Sequence, residues 1–182
     1  KKDFLDLLKA FRQDAVKGGY ERFEDILEYS RYSANPVGRL VLQIFGYGRE
    51  RNEELYRMSG DICTALQLAN FWQDVSRDMK MNRVYIPEEL MRKYNYTKDQ
   101  LFESVENDNF KRLMSHLVDE TYLLFESGRA LPSRLKGRLK YELRAIITGG
   151  MSILDMIRKE NYKVLSRRVK ISPVRKFRIL IK

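Results

Sequence analysis

Apolar residues recur at three- and four-residue spacing along almost the whole chain, a period that strands cannot use and helices must. Phe4, Leu5, Leu7, Leu8, Phe11 and Ala15 mark a first amphipathic helix, which Gly18-Gly19 stops. A second is predicted from Glu21 to Asn35, with Glu21, Glu24, Asp25 and Glu28 on its exposed face. Pro36 interrupts or kinks the path before the apolar stretch Val37 to Phe45. A long helix from Arg51 to Asp78 contains Leu55, Ile62, Ala65, Leu66, Ala69 and Trp72. Asn82 to Pro87 reads as a loop, Pro87 opens a short helix, and Thr97 is an N-cap. Two long helices follow, Asn107 to Ser127 and Pro132 to Arg158, divided by Gly128. With no internal repeat and no β-hairpin signal, the fold class is an all-α bundle.

Composition narrows the chemistry. At 182 residues with 43% apolar positions, the chain can fill one core. One cysteine (Cys63) excludes an internal disulfide and a multi-Cys metal site, and one histidine (His116) excludes paired-His metal motifs; neither is assigned chemistry. No apolar run reaches the roughly 20 residues of a membrane span, and Lys1-Lys2 leads into an Asp-bearing amphipathic helix rather than a signal peptide. These features predict a soluble, cytoplasmic chain forming one domain over residues 1–182. A helix that starts almost at residue 1 without a cap further predicts that this domain is partial, its preceding helices lying elsewhere. From Arg129 onward there are 16 Lys/Arg against 3 acids, while the first 128 residues hold 19 basic and 22 acidic residues. The basic end, Asn161 to Lys182, suits a polyanion: nucleic acid, anionic headgroups or a diphosphate. Its alternation of basic residues with Val164, Leu165, Val169, Ile171, Val174, Phe177, Ile179 and Leu180 would allow peripheral contact with an anionic inner-membrane face. Nucleic acid is disfavoured as a partner, because neither a helix-turn-helix nor a basic stripe interleaved with aromatics is present.

The segment Asp61 to Asp78 concentrates polar side chains. On a helix turning about 100° per residue, with Gln67 at zero, Asn70 falls at about 300°, Asp74 at about 340° and Asp78 at about 20°. Two carboxylates and two amides thus share one stripe beside apolar neighbours. Carboxylates one turn apart repel and call for a cation, and an all-oxygen donor set suits Mg²⁺ completed by water and phosphate. An exposed acidic face paired with Arg77 and Lys80 would show the same spacing.

Gln67-Leu-Ala-Asn70, Gln73-Asp74-Val-Ser-Arg77-Asp78 and Arg83-Val-Tyr85-Ile-Pro87 resemble the second aspartate-rich motif of the squalene and phytoene synthases. Tyr29 to Gly38, ending Asn-Pro-Val-Gly, resembles the tyrosine-bearing helix of the same family, in wording most similar to its hydroxysqualene-forming hopanoid branch. The resemblance implies an isoprenoid-synthase-type helical bundle with a central cavity that takes farnesyl or presqualene diphosphate. It implies Asn70, Asp74 and Asp78 as Mg²⁺ ligands, Tyr29 with Asp74 and Asp78 as catalytic residues, and Gln67, Asn70, Arg83, Tyr85 and Arg167 as substrate-binding residues. The reaction it implies is head-to-head prenyl synthesis, with presqualene diphosphate converted to hydroxysqualene; presqualene diphosphate, squalene or phytoene formation is the alternative within the family, and a non-catalytic basic helical domain the alternative outside it. Three departures stand out. The family's first aspartate-rich motif is not present upstream of Tyr29, where Asp3 and Asp6 lack its spacing and Asp14 stands alone. Gln73 replaces an arginine that many relatives carry before the aspartate. Gly150 occupies a position where some relatives place a cavity tyrosine. No Gly-rich nucleotide cradle is visible either.

Overall fold

The computed structural model describes residues 2–170. It contains eight α-helices and no strand among the described residues: α1 (Lys2–Asp14), α2 (Phe23–Ser33), α3 (Asn35–Ile44), α4 (Glu53–Met79), α5 (Glu88–Lys93), α6 (Lys98–Phe102), α7 (Asp108–Gly128) and α8 (Gly137–Lys159). The all-α class follows the apolar period directly. Pro36 does not kink a helix; it sits in the first turn of α3, and the break falls at Ala34 between α2 and α3. There its missing N–H has no intrahelical acceptor to lose. Thr97 caps α6 in a reciprocal box with Gln100, and Asn107 caps α7 through the Phe110 N–H. Pro132 opens only a short 3₁₀ turn, Leu131–Arg134, and α8 begins at Gly137, after extended backbone at Leu135 and Lys136.

α4 is the axis of the molecule, packing on α2, α3, α7 and α8. Its buried face carries Leu55, Met58, Ile62, Ala65, Leu68, Ala69, Phe71, Trp72 and Val75. Trp72 is fully buried and donates its indole N–H to Thr121 Oγ1 at 2.8 Å, while Thr121 donates to the Leu117 carbonyl at 2.7 Å. A buried polar pair is thereby satisfied inside the α4–α7 contact. Close approach depends on small residues. A Cβ on Gly128 of α7 would lie 2.5 Å from Ile62 Cγ1 and 2.8 Å from the Met58 carbonyl oxygen. One on Gly38 of α3 would lie 2.4 Å from Ser59 Oγ and 2.6 Å from the sulfur of Cys63. Cys63 is therefore a packing residue, its thiol pushed up by burial.

Two expectations change. The apolar positions of α1 are not core: Phe4, Leu5, Leu8 and Phe11 are 52–63% exposed, and α1 meets α2 and α3 through its opposite face, where Ala10 is buried. Asp3 and Asp6 on that side pair with Arg39 of α3. Periodicity reports that a helix has an apolar face, not that a neighbour covers it. The second change concerns the basic end. Val164, Leu165 and Val169 are buried in the core rather than presented to a bilayer, because left-handed backbone at Asn161 and Tyr162 turns the chain back after α8. Ile171, Val174, Phe177, Ile179 and Leu180 lie outside the described residues. No helix among the described residues is long and apolar enough to cross a membrane.

The glycine contacts predict opposite outcomes for one substitution. Gly128→Ala should destabilise the chain by about 1–3 kcal/mol through overpacking against the Met58 carbonyl. Gly149→Ala, with nothing within 4 Å of its added carbon, should be neutral or stabilise by up to about 1 kcal/mol through helix propensity. Urea denaturation of the two variants measures both.

Candidate functional site

The polar stripe of α4 runs along the side of the helix that the bundle leaves open: Asn70 is exposed, while Gln67, Asp74 and Asp78 are half-buried. Asp74 does not face solvent alone. The Arg168 guanidinium, arriving from the segment after α8, takes both carboxylate oxygens, with Nη2 at 3.0 Å from Oδ2 and Nε on Oδ1. Asp78, one turn on, is half-desolvated and sits beside the Asp74 charge, and these two effects push its carboxyl up to about 6 against the opposing pull of Arg83, Arg77 and Arg168. The repulsion anticipated from the spacing is therefore present. Arg83 and Asp78 border a hollow of about 10 Å³, shared with Phe71, Val75, Met79 and Tyr85, room for about one water.

The aromatic side of the site is assembled by two linkers running together. The Val84 N–H donates to the Gly18 carbonyl at 2.9 Å, Glu88 to Tyr20 and Glu89 to Glu21, each at 3.0 Å. This brings Tyr20 and Tyr85 within 5.8 Å, ring to ring, and lays Tyr85 flat on Phe71 of α4 at 3.7 Å with an 8° interplanar angle. Tyr29 of α2, only 3% exposed, closes the group at 5.7 Å from Tyr20, 6.2 Å from Phe71 and 6.3 Å from Tyr85. Its hydroxyl donates to Asp14 Oδ2 at 2.9 Å. Burial, then the bond to Asp14, hold the Tyr29 phenol far above its ordinary value. Burial likewise raises Tyr20 and Tyr85. All three rings are thus neutral at physiological pH; Tyr20 and Tyr29 are enclosed, and Tyr85 has one face covered by Phe71.

The structure therefore brings together Tyr29, Asp74, Asp78, Arg83 and Tyr85, with Gln67 and Asn70 further along the same helix stripe. It does not bring Arg167 to them. Arg167 pairs with Glu160 at the end of α8, and its neighbour Arg168 reaches Asp74 instead. Asp14, which stood alone in the sequence, is the partner of Tyr29; nothing in periodicity relates two residues on either side of the turn between α1 and α2. Gln73 is not an impoverished arginine site at the surface. It is buried and donates Nε2–H to the Val169 carbonyl at 2.6 Å. Gly150 is buried too, its missing side chain filled by Phe125 and Leu66, whose atoms would lie 2.5 and 2.8 Å from an added Cβ. His116 lies against Tyr94, away from the stripe.

Among the described residues no three His, Cys, Asp or Glu side chains converge as a closed metal cage. Two carboxylates one turn apart, one of them pushed toward its neutral form by burial and then by the charge of the other, nonetheless have the donor chemistry of a hard cation that keeps water and phosphate oxygens in its shell.

Comparison with known proteins decides the family. The sequence profile of the squalene/phytoene synthase family matches residues 1–175. The chain belongs to the squalene/phytoene synthase family. It is 33% identical over 172 residues to a hydroxysqualene synthase of Sinorhizobium fredii, covering 93% of this chain and 57% of the relative. It is 42% identical over 98 residues to a hydroxysqualene synthase of Zymomonas mobilis, covering 53% of this chain and 32% of that protein. The crystal structure of squalene synthase HpnC from Alicyclobacillus acidocaldarius superposes with a TM-score of 0.85 at 40% identity, over 88% of this chain and 60% of that one. As a squalene/phytoene synthase family member, the chain thus spans 57% of the length of its Sinorhizobium relative, and its helical bundle is of the isoprenoid-synthase type.

The raised Asp78 carboxyl has a stability consequence of definite sign. Its folded value of about 6 exceeds the ordinary 3.8, so the folded chain holds a proton that the unfolded chain releases. Stability from this group is present below about pH 4 and is lost as pH rises through about 6. Asp78→Asn should raise the melting temperature at pH 8, with the gain shrinking as the pH falls toward 4; thermal melts across that range measure it.

Proposed function

We propose that this chain is a Mg²⁺-dependent synthase of the head-to-head type that converts presqualene diphosphate to hydroxysqualene. The observation that carries the reading is the juxtaposition on α4 of the Asp74–Asp78 pair with a wall of neutral aromatic rings, Phe71, Tyr85 and Tyr29, and a cation, Arg83, at their junction. A diphosphate needs the charged half of such a site and a carbocation needs the aromatic half. The hydroxysqualene synthases among the chain's relatives support the choice of product.

Asp74 and Asp78, with the Asn70 amide, are the residues that would hold Mg²⁺, which when bound neutralises the departing diphosphate. Arg83 offers a planar fork to phosphate oxygens in the same region, and Gln67 and Asn70 orient the headgroup along the stripe. As the C–O bond breaks, its electron pair leaves with diphosphate, and the cyclopropylcarbinyl cation left behind lies against Phe71, Tyr85 and Tyr29. Asp14 fixes the Tyr29 hydroxyl by accepting its hydrogen bond, so this O–H is directed to Asp14 and not toward the cation. The cation rearranges as a C–C bond of the cyclopropane breaks, its electron pair quenching the first cationic centre and leaving an open-chain allylic cation. Water then forms the new C–O bond there and loses a proton, a sequence that consumes no reductant.

Incubating the full chain with Mg²⁺ and either presqualene or farnesyl diphosphate tests this. Hydroxysqualene and free diphosphate are expected from the former, and Asp74→Ala should lower diphosphate release about 100-fold or more at unchanged far-UV circular dichroism. Presqualene diphosphate accumulating from farnesyl diphosphate without further conversion would reassign the product. No release from either substrate, or full release by Asp74→Ala, would overturn the reading.

A further inference from the structure

We propose that the segment Val164–Lys170 is a latch on the carboxylate pair, in which Arg168 fills the place of a divalent cation at Asp74 and Gln73 is the positioning residue that holds the latch closed. The inference rests on the divalent-cation reading above. It goes further in assigning work to a segment and to a glutamine that the reaction itself does not require.

Three sets of contacts fix the segment. Val164, Leu165 and Val169 are buried, anchoring the backbone on either side of Arg168. At one end, Glu106 before α7 accepts from the Leu165 N–H at 2.8 Å, the Ser166 N–H at 3.1 Å and the Ser166 hydroxyl at 3.0 Å. At the other, Gln73 Nε2–H donates to the Val169 carbonyl at 2.6 Å. Gln73 and Asp74 are adjacent on α4, as Arg168 and Val169 are on the segment. The buried bond therefore sets the register that delivers the Arg168 fork to both Asp74 oxygens. Gln73 itself is buried and uncharged, so the counter-charge at Asp74 is that of Arg168.

The consequence is competition. A carboxylate held bidentately by a guanidinium has its charge neutralised and its chelating lone pairs engaged, so a metal binds Asp74 in competition with Arg168. The pair is partly exposed, with 41% of the Arg168 side chain accessible against 19% for Asp74, so release requires no unfolding of the core.

Mn²⁺ binding to the full chain, measured by electron paramagnetic resonance without substrate, tests the latch. Arg168→Gln should bind Mn²⁺ about fivefold more tightly, the scale of one well-formed partly exposed ion pair. Lys170→Gln removes the same charge two residues away and should leave the affinity unchanged. Gln73→Leu keeps Arg168 but drops the anchor, and should also tighten Mn²⁺ binding. Glu106→Gln, which loosens the same segment from outside the core, should move in that direction even where Gln73→Leu lowers the melting point. Equal affinity in the native chain and Arg168→Gln, or equal tightening in Arg168→Gln and Lys170→Gln, overturns the latch alone. Absence of Mn²⁺ binding in every chain, with or without inorganic diphosphate, overturns the divalent-cation reading and the latch together.

Discussion

Helix α4 has to be buried and charged at once, and the rest of the molecule is arranged around that conflict. Trp72 and Phe71 belong to an apolar interior, Asp74 and Asp78 to a charged stripe, and all four lie within two turns. Burying an isolated carboxylate is prohibitively costly. The helix therefore keeps its stripe on the one side where α3, α7 and α8 do not close over it, and draws its counter-charge from elsewhere in the chain. Arg168 comes from after α8 and Arg83 from the loop after α4 itself. The residual imbalance falls on Asp78, the carboxylate without a bidentate partner, and its proton affinity rises accordingly.

The same helix explains the tightness of the bundle. Gly38 and Gly128 let α3 and α7 approach the α4 backbone to distances at which no side chain fits, so the stripe sits on a rigid support. Rigidity matters for a site of this type because the separation of two carboxylates on one helix is then set by the helical rise and not by loop motion. The aromatic half is held differently, by backbone hydrogen bonds between the linkers at residues 18–21 and 84–89. Those bonds stack Tyr85 on Phe71 and so join a loop to the helix that carries the acids. Asp14 and Gln73 extend this logic: each is a polar side chain whose visible job is to orient another group, Tyr29 in one case and the Arg168 segment in the other.

The helices are legible along the chain, because a period of 3.6 is written locally into the apolar stretches. The same holds for the cap at Thr97 and the acid–amide stripe from Gln67 to Asp78, since each needs only residues within a few turns of one another. Which faces are covered, and which distant residues meet, depends on how the helices pack. Phe4, Leu8 and Phe11 have the pattern of core residues yet stand exposed, for an apolar face is a local property and its neighbour is not. The choice of Arg168 over Arg167 at Asp74 depends on the turn at Asn161 and Tyr162 and on a bond between residues 73 and 169, a separation of 96 positions. Contacts across such separations arise from packing of whole helices, so no spacing rule along the chain carries them.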